Sequence, residues 1–113
     1  MKVLIAAASL VLVQQTQHIT TIQPGEIEES CMLLAAGERI EFSFSANTGL
    51  DFNIHYHDDE KVHFPVNESS LSEWKGVYIA PEKQHYCLMW TNKHATEPAS
   101  LDYSYKLYRM EGE

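Results

Sequence analysis

Leu50-Asp51-Phe52-Asn53-Ile54-His55-Tyr56-His57-Asp58-Asp59-Glu60-Lys61-Val62-His63-Phe64-Pro65-Val66 alternates apolar and polar residues on both sides of an acidic turn. A period of two on both arms is the pattern of a half-buried β-hairpin. It predicts Leu50, Phe52, Ile54 and Tyr56 facing inward on one arm, and Val62, Phe64 and Val66 facing inward on the other. His55, His57 and His63, three of the six histidines in the chain, then fall on the polar side.

The same period runs through the flanking segments. His18 to Gln23 is rich in β-branched residues and stops at Pro24-Gly25. Glu26 to Leu34 ends at Ala35-Ala36-Gly37-Glu38, and Arg39 to Ala46 places Ile40, Phe42, Phe44 and Ala46 on one face. Asn47-Thr48-Gly49 reads as a tight turn. Asn67 to Glu73 is polar and serine-rich, and reads as a loop crossing between sheets. Trp74 to Ala80 is a further strand, His85 to Thr91 is apolar enough for a central one, and Ser100 to Met110 closes the chain. Seven to eight short strands at this spacing predict an all-β fold: an antiparallel, jelly-roll-like β-sandwich.

The chain has 113 residues, 44% of them hydrophobic, which supports one domain around one core. Its formal charge of −8 disfavours nucleic acid and anionic lipid surfaces. Met1-Lys2 followed by the uncharged run Val3 to Val13 matches a secretory signal peptide. The division expected is a leader over residues 1–17 and a single domain over 18–113. The competing reading of the run is a buried first strand of the domain. It is short for a bilayer span, no second apolar span follows, and no lipobox-type cysteine ends it, so an exported protein, periplasmic or secreted, is expected. Export favours a disulfide for the two cysteines, Cys31 and Cys87, over buried thiols or a thiolate metal ligand at Cys87.

Residues two apart in a strand share a face, so His55 and His57 project together, about 6.5–7 Å apart at the backbone. If both arms of the hairpin keep parity, His63 lies across from one of them. Three imidazoles on one sheet face can hold zinc or copper. His85 and Met89 share a face of their own strand with Cys87, and a methionine sulfur favours copper. The metal set expected is therefore His55, His57, His63, His85 and Met89. Against it stands the ordinary role of strand histidines as solvated surface, paired here with Asp58, Asp59 and Glu60. A disulfide at Cys87 would also remove that sulfur as a ligand. No catalytic group is nominated: Ser69, Ser70 and Ser72 lack a Gly-x-Ser-x-Gly elbow. Asn67-Glu68-Ser69 fits a glycosylation pattern that arises often by chance.

The order CMLLAAGE, RIEFSFSA, LDFNIHYH, Gly-Val-Tyr and YCLMWTN resembles the GOLD domain of the emp24/gp25L/p24 type, from about Gln23 to Arg109. The chain departs from that family in lacking its C-terminal coiled coil, membrane span and cytosolic tail, as exported bacterial members do. The resemblance implies a sandwich, a Cys31–Cys87 bridge and a binding role, and carries over nothing about receptor cycling. The function expected is a non-enzymatic binding module for a protein or small ligand. The alternative is a periplasmic copper- or zinc-binding protein built on the histidine-rich hairpin.

Overall fold

The computed structural model describes residues 9–111. Among them are six strands: β1 Leu10–Ile22, β2 Ile27–Leu34, β3 Arg39–Asp58, β4 Lys61–Ile79, β5 Gln84–Thr91 and β6 Ala99–Met110. Every pairing is antiparallel. The all-β sandwich expected from the alternation is present, with fewer and longer strands than the seven to eight predicted. The reason is that two pairs of predicted strands are each continuous. Arg39–Ala46 and Leu50–His57 form the single strand β3, while the 62–66 segment and residues 74–79 of the 74–80 segment belong to β4.

β3 is shared between the two halves of the fold. Its first part, Arg39 to Ala46, pairs with β6, and its second part, Asp51 to His55, pairs with β5 along the same edge. β4 follows β3 on the other edge through both parts. The sheet therefore bends where β3 leaves β6 for β5, and folds its halves face to face. One half is β1–β6–β3–β4 and the other β2–β5–β3–β4. Contacts between the halves include Trp90 against Tyr103, with ring centroids 4.4 Å apart, and the hydrogen bond between Ser30 and Tyr105 at 3.0 Å.

The corner occupies the segments predicted as turn and loop. Between the pairs Ser45–Glu73 and Leu50–Leu71, β3 carries extra residues, and between Leu50–Leu71 and Phe52–Glu68 the excess lies on β4. Unequal counts of this kind bend a ladder without ending it. Gly49 permits the close approach, because a Cβ there would lie 3.2 Å from the Ser70 backbone. Ser70 adopts φ 55°, and its N–H donates to Asp51 Oδ1 at 3.1 Å. The predicted turn at Asn47-Thr48-Gly49 and the predicted loop at 67–73 are thus the two sides of one bent hairpin.

Ile40, Phe42, Phe44, Leu50, Phe52 and Ile54 of β3 are buried with Leu88 and Trp90 of β5 and Leu101, Tyr103, Tyr105 and Leu107 of β6. Phe52 sits at the bend, within 5.1 to 5.7 Å of the rings of Phe42, Phe44, Trp74 and Trp90. Two polar side chains close the ends. The buried Glu38 carboxylate accepts the Ala35 N–H at 2.9 Å and the Met110 N–H at 3.0 Å. Asn92 donates to the Ile22 and Glu97 carbonyls, both at 2.9 Å.

Residues Leu10–Gln17, assigned to the leader from sequence, form the first part of β1 and pair with Ser104–Met110 of β6. Residues 1–8 lie outside the described residues. Val11, Leu12 and Val13 are exposed, and Ile22 alone represents β1 in the buried core. Leu10–Val13, the part of the apolar run that the structure describes within a strand, accordingly lies in an outer strand, outside the buried core.

Candidate functional site

The β3–β4 hairpin runs on past its last ladder pair with β5, His55–Cys87, to a turn at Asp59-Glu60 between the paired residues Asp58 and Lys61. Asp59 takes φ 53°, a left-handed conformation that aspartate tolerates. Asp58, Asp59 and Glu60 are exposed at this tip.

Parity fails within the tip, and the cause is a bulge. Ile54 pairs with Val66 and Tyr56 with His63, so the single residue His55 faces both Phe64 and Pro65. Proline cannot donate to the ladder and is tolerated at such irregular edge positions. The extra residue reverses the faces of everything between Lys61 and Phe64. Val66 points inward as predicted, whereas Val62 and Phe64 are 42% and 48% exposed. His63 turns inward and stacks on Tyr56, with centroids 4.8 Å apart and planes at 16°. The predicted trio is therefore divided: His55 and His57 share the outer face, and His63 is on the other.

That outer face of the β2–β5 half carries the remaining residues of the predicted set. Register places His55 beside Cys87 and Asn53 beside Met89, with Glu29 and Cys31 next along on β2. Cys31 and Cys87 stand directly opposite each other and are joined as a disulfide. Neither is available as a thiolate. Among the described residues, one group of three metal-ligating side chains has its ligand atoms within 4.8 Å of one another, and that group is Glu29 with these two bonded sulfurs. His85 is exposed and joins no such group, and Met89 is half-buried.

What does converge is a smaller arrangement. His55 is only 5% exposed, covered in part by Phe64, whose ring centroid lies 5.7 Å away. Its Nδ1 is 2.7 Å from Asn53 Oδ1, and its Nε2 is 3.3 Å from Glu29 Oε2. The His57 ring lies 5.5 Å from that of His55 at 76°. Burial pushes the His55 pKa below the usual imidazole value. The Glu29 carboxylate acts against that shift, and His57 adds slightly to it. Glu29 and Asn53 were not singled out in the sequence. Parity could have found Asn53, two residues before His55, whereas Glu29 comes from β2 on the far side of β5.

Elsewhere, Lys93 Nζ lies 2.6 Å from Asp51 Oδ2 at the corner, and this hydrogen bond holds the Asp51 carboxyl below its usual pKa. A groove of about 470 Å³ crosses the outer face of the other half, lined by Gln15, Glu41, Ser43, Lys75, Ser104 and Lys106 among others. Phe42, Gly76, Val77 and the buried Tyr105 line it as well, so its surface is more apolar than polar.

No protein-family model matches the chain, and no curated protein matches it. Solved structures do. A periplasmic inhibitor of g-type lysozyme from Aeromonas hydrophila, PliG, superposes with a TM-score of 0.63 at 11% identity, over 82% of this chain and 85% of that one. The Yersinia pseudotuberculosis-derived mitogen superposes with a TM-score of 0.53 at 10% identity, over 88% and 89%. At such identities the likeness is one of fold: this chain is an antiparallel β-sandwich similar to that of a periplasmic inhibitor and a bacterial mitogen.

Proposed function

We propose that the chain is an exported, non-catalytic binding module that engages another protein through the tip of the β3–β4 hairpin. The observation that carries this reading is the pair Val62 and Phe64, turned outward by the Pro65 bulge on a tip that continues past its last ladder pair with β5. An ordinary hairpin directs such residues to the core. An exposed aromatic beside an exposed aliphatic supplies the anchor that protein interfaces concentrate their affinity on. Asp58, Asp59 and Glu60 are exposed at the adjoining turn of a chain of charge −8, so the complementary partner is a basic protein. Export is supported by the apolar N-terminal run and by the disulfide, which persists in oxidising compartments. A GOLD-type relationship belongs to the same reading. It is supported by the placement of the Cys31–Cys87 pair.

PliG, of similar fold, is an inhibitor of g-type lysozyme, which supplies the first partner class to test. The experiment measures binding and inhibition of a g-type lysozyme, with other basic secreted hydrolases in parallel, for the native chain and for Phe64→Ser with Val62→Ser. Saturable binding weakened at least about tenfold by the double substitution is expected, because these are the anchors. A partner bound equally well by both proteins would end the hairpin reading.

A further inference from the structure

We infer that the groove on the outer face of the half that carries β6 binds a short acidic oligosaccharide. Lys75 and Lys106 take its carboxylates, and Ser43 and Ser104 take its hydroxyls. The site is independent of hairpin recognition, since none of the residues lining the groove belongs to the tip. None of the four side chains belongs to the segment read as a leader.

Register sets Lys75, Ser43 and Ser104 in one row across β4, β3 and β6, and Val77, Glu41 and Lys106 in the next. These are alternate residues of their strands, so all six side chains stand on one face, opposite the buried Phe42 and Tyr105. The groove of about 470 Å³ lies over these two rows. Two further depressions, of about 240 and 310 Å³, share Ser43 with it and lengthen it into a trough. β3, the middle strand of the trough, is paired on both edges here, so the floor offers no free backbone donors or acceptors along it. A peptide strand cannot add to such a surface, and recognition falls to side chains.

The charges leave two cations over the groove without partners. Glu41 stands across from Lys106 in register, but its Oε2 is 3.2 Å from Arg39 Nη2. Among the described residues neither Lys75 nor Lys106 forms an ion pair, and both are exposed. On a chain of charge −8, two unmatched ammonium groups over one groove select an anionic ligand. They are two strands and two residues apart, about 12 Å at the backbone, so a ligand that engages both is elongated and carries spaced charges. Glu73 and Asp102, one row further on beside Ser45, bound the cationic stretch and keep that ligand short. Between the lysines the Ser43 and Ser104 hydroxyls lie 3.0 Å apart. A hydroxyl both donates and accepts, which matches the hydroxyls of a sugar. Val77, 58% exposed, supplies an apolar wall for the C–H face of a sugar ring. An acidic oligosaccharide meets all three conditions, whereas inorganic phosphate meets only the charge.

The test is calorimetric titration of the intact, oxidised chain with tetragalacturonate at low ionic strength. Its methyl-esterified form, a neutral cello-oligosaccharide, an acidic peptide and inorganic phosphate are titrated in parallel. Saturable binding of one tetragalacturonate per chain is expected, with the backbone amide signals of Ser43, Lys75, Ser104 and Lys106 shifting in ¹⁵N NMR. Lys75→Gln with Lys106→Gln should weaken binding at least about tenfold. Both side chains are exposed, so this variant folds as the native chain does. Ser43→Ala with Ser104→Ala should weaken it about threefold. Lys61→Gln with Lys83→Gln removes the same charge from elsewhere on the surface, and should change the affinity by less than about twofold. Any of five outcomes overturns the inference: no saturable binding, equal losses in the two lysine pairs, equal binding of the esterified or the neutral oligosaccharide, tighter binding of the acidic peptide, or binding of phosphate alone. None of them bears on hairpin recognition, which is read from partner binding with Phe64→Ser and Val62→Ser.

Discussion

The two parts of β3 are one strand with two physical characters. From Arg39 to Ser45 each even-numbered residue is buried and each odd-numbered one at least partly exposed, as expected of a sheet with one face in solvent. From Phe52 to His55 four consecutive residues are buried, two of them polar. In the first part, hydrophobic patterning accounts for every position. In the second, Asn53 and His55 lose hydration on the face that should be wet, and must find partners within the protein. They find each other and Glu29. The part of the strand that departs from simple alternation is the part that gathers side chains able to do chemistry.

Phe52→Ala should give the largest effect on this comparison, because the ring touches aromatic side chains from both halves at the bend. A loss of about 3–5 kcal/mol is expected from denaturant unfolding, with both halves melting together. Separate transitions would show the halves to be independent. Removing the disulfide, by reduction or by Cys31→Ser with Cys87→Ser, comes next. The bridge closes a loop of sequence separation 56. The loop-entropy estimate for it is about 4 kcal/mol, and measured values are commonly about 2–4. Hydrogen exchange should rise first in β2, which is the edge strand of its half, and last in β6 beside the first part of β3. Equal exchange in the two would erase the distinction drawn here. The smallest effect belongs to Phe64→Ser, about 0.5 kcal/mol or less in unfolding, since nearly half of the side chain is already in water. A larger loss would make Phe64 a cover for His55 first and a recognition residue second.

How far each part could be read from sequence follows from how local its causes are. Arg39 to Ala46 was legible because side-chain period and burial are properties of the strand itself. Cys31 and Cys87 were legible as a pair, since only two cysteines occur and export favours their oxidation. Asn47-Thr48-Gly49 misled, because residues that allow a turn also allow a sharp bend within a continuing strand. Asn67 to Glu73 misled for the same reason: it is polar because it lines the outside of that bend. His63 was put on the wrong face by counting across Pro65, although a proline inside a strand pattern is itself a sign of a bulge. Glu29 was hidden for a different reason. It reaches His55 across an intervening strand, and no spacing along one chain segment reports on that.

Pro65 makes the hairpin tip unusually easy to rewire. Because the faces of residues 61–64 depend on one surplus position opposite His55, deletion of a single codon would exchange them. Val62 and Phe64 would join the interior, and His63 would come out beside His55 and His57. One small genetic event could therefore trade an apolar recognition surface for a three-imidazole cluster, leaving the bend, the disulfide and the core as they are. Insertions and deletions near position 65, more than point substitutions, are the changes by which this surface would diversify.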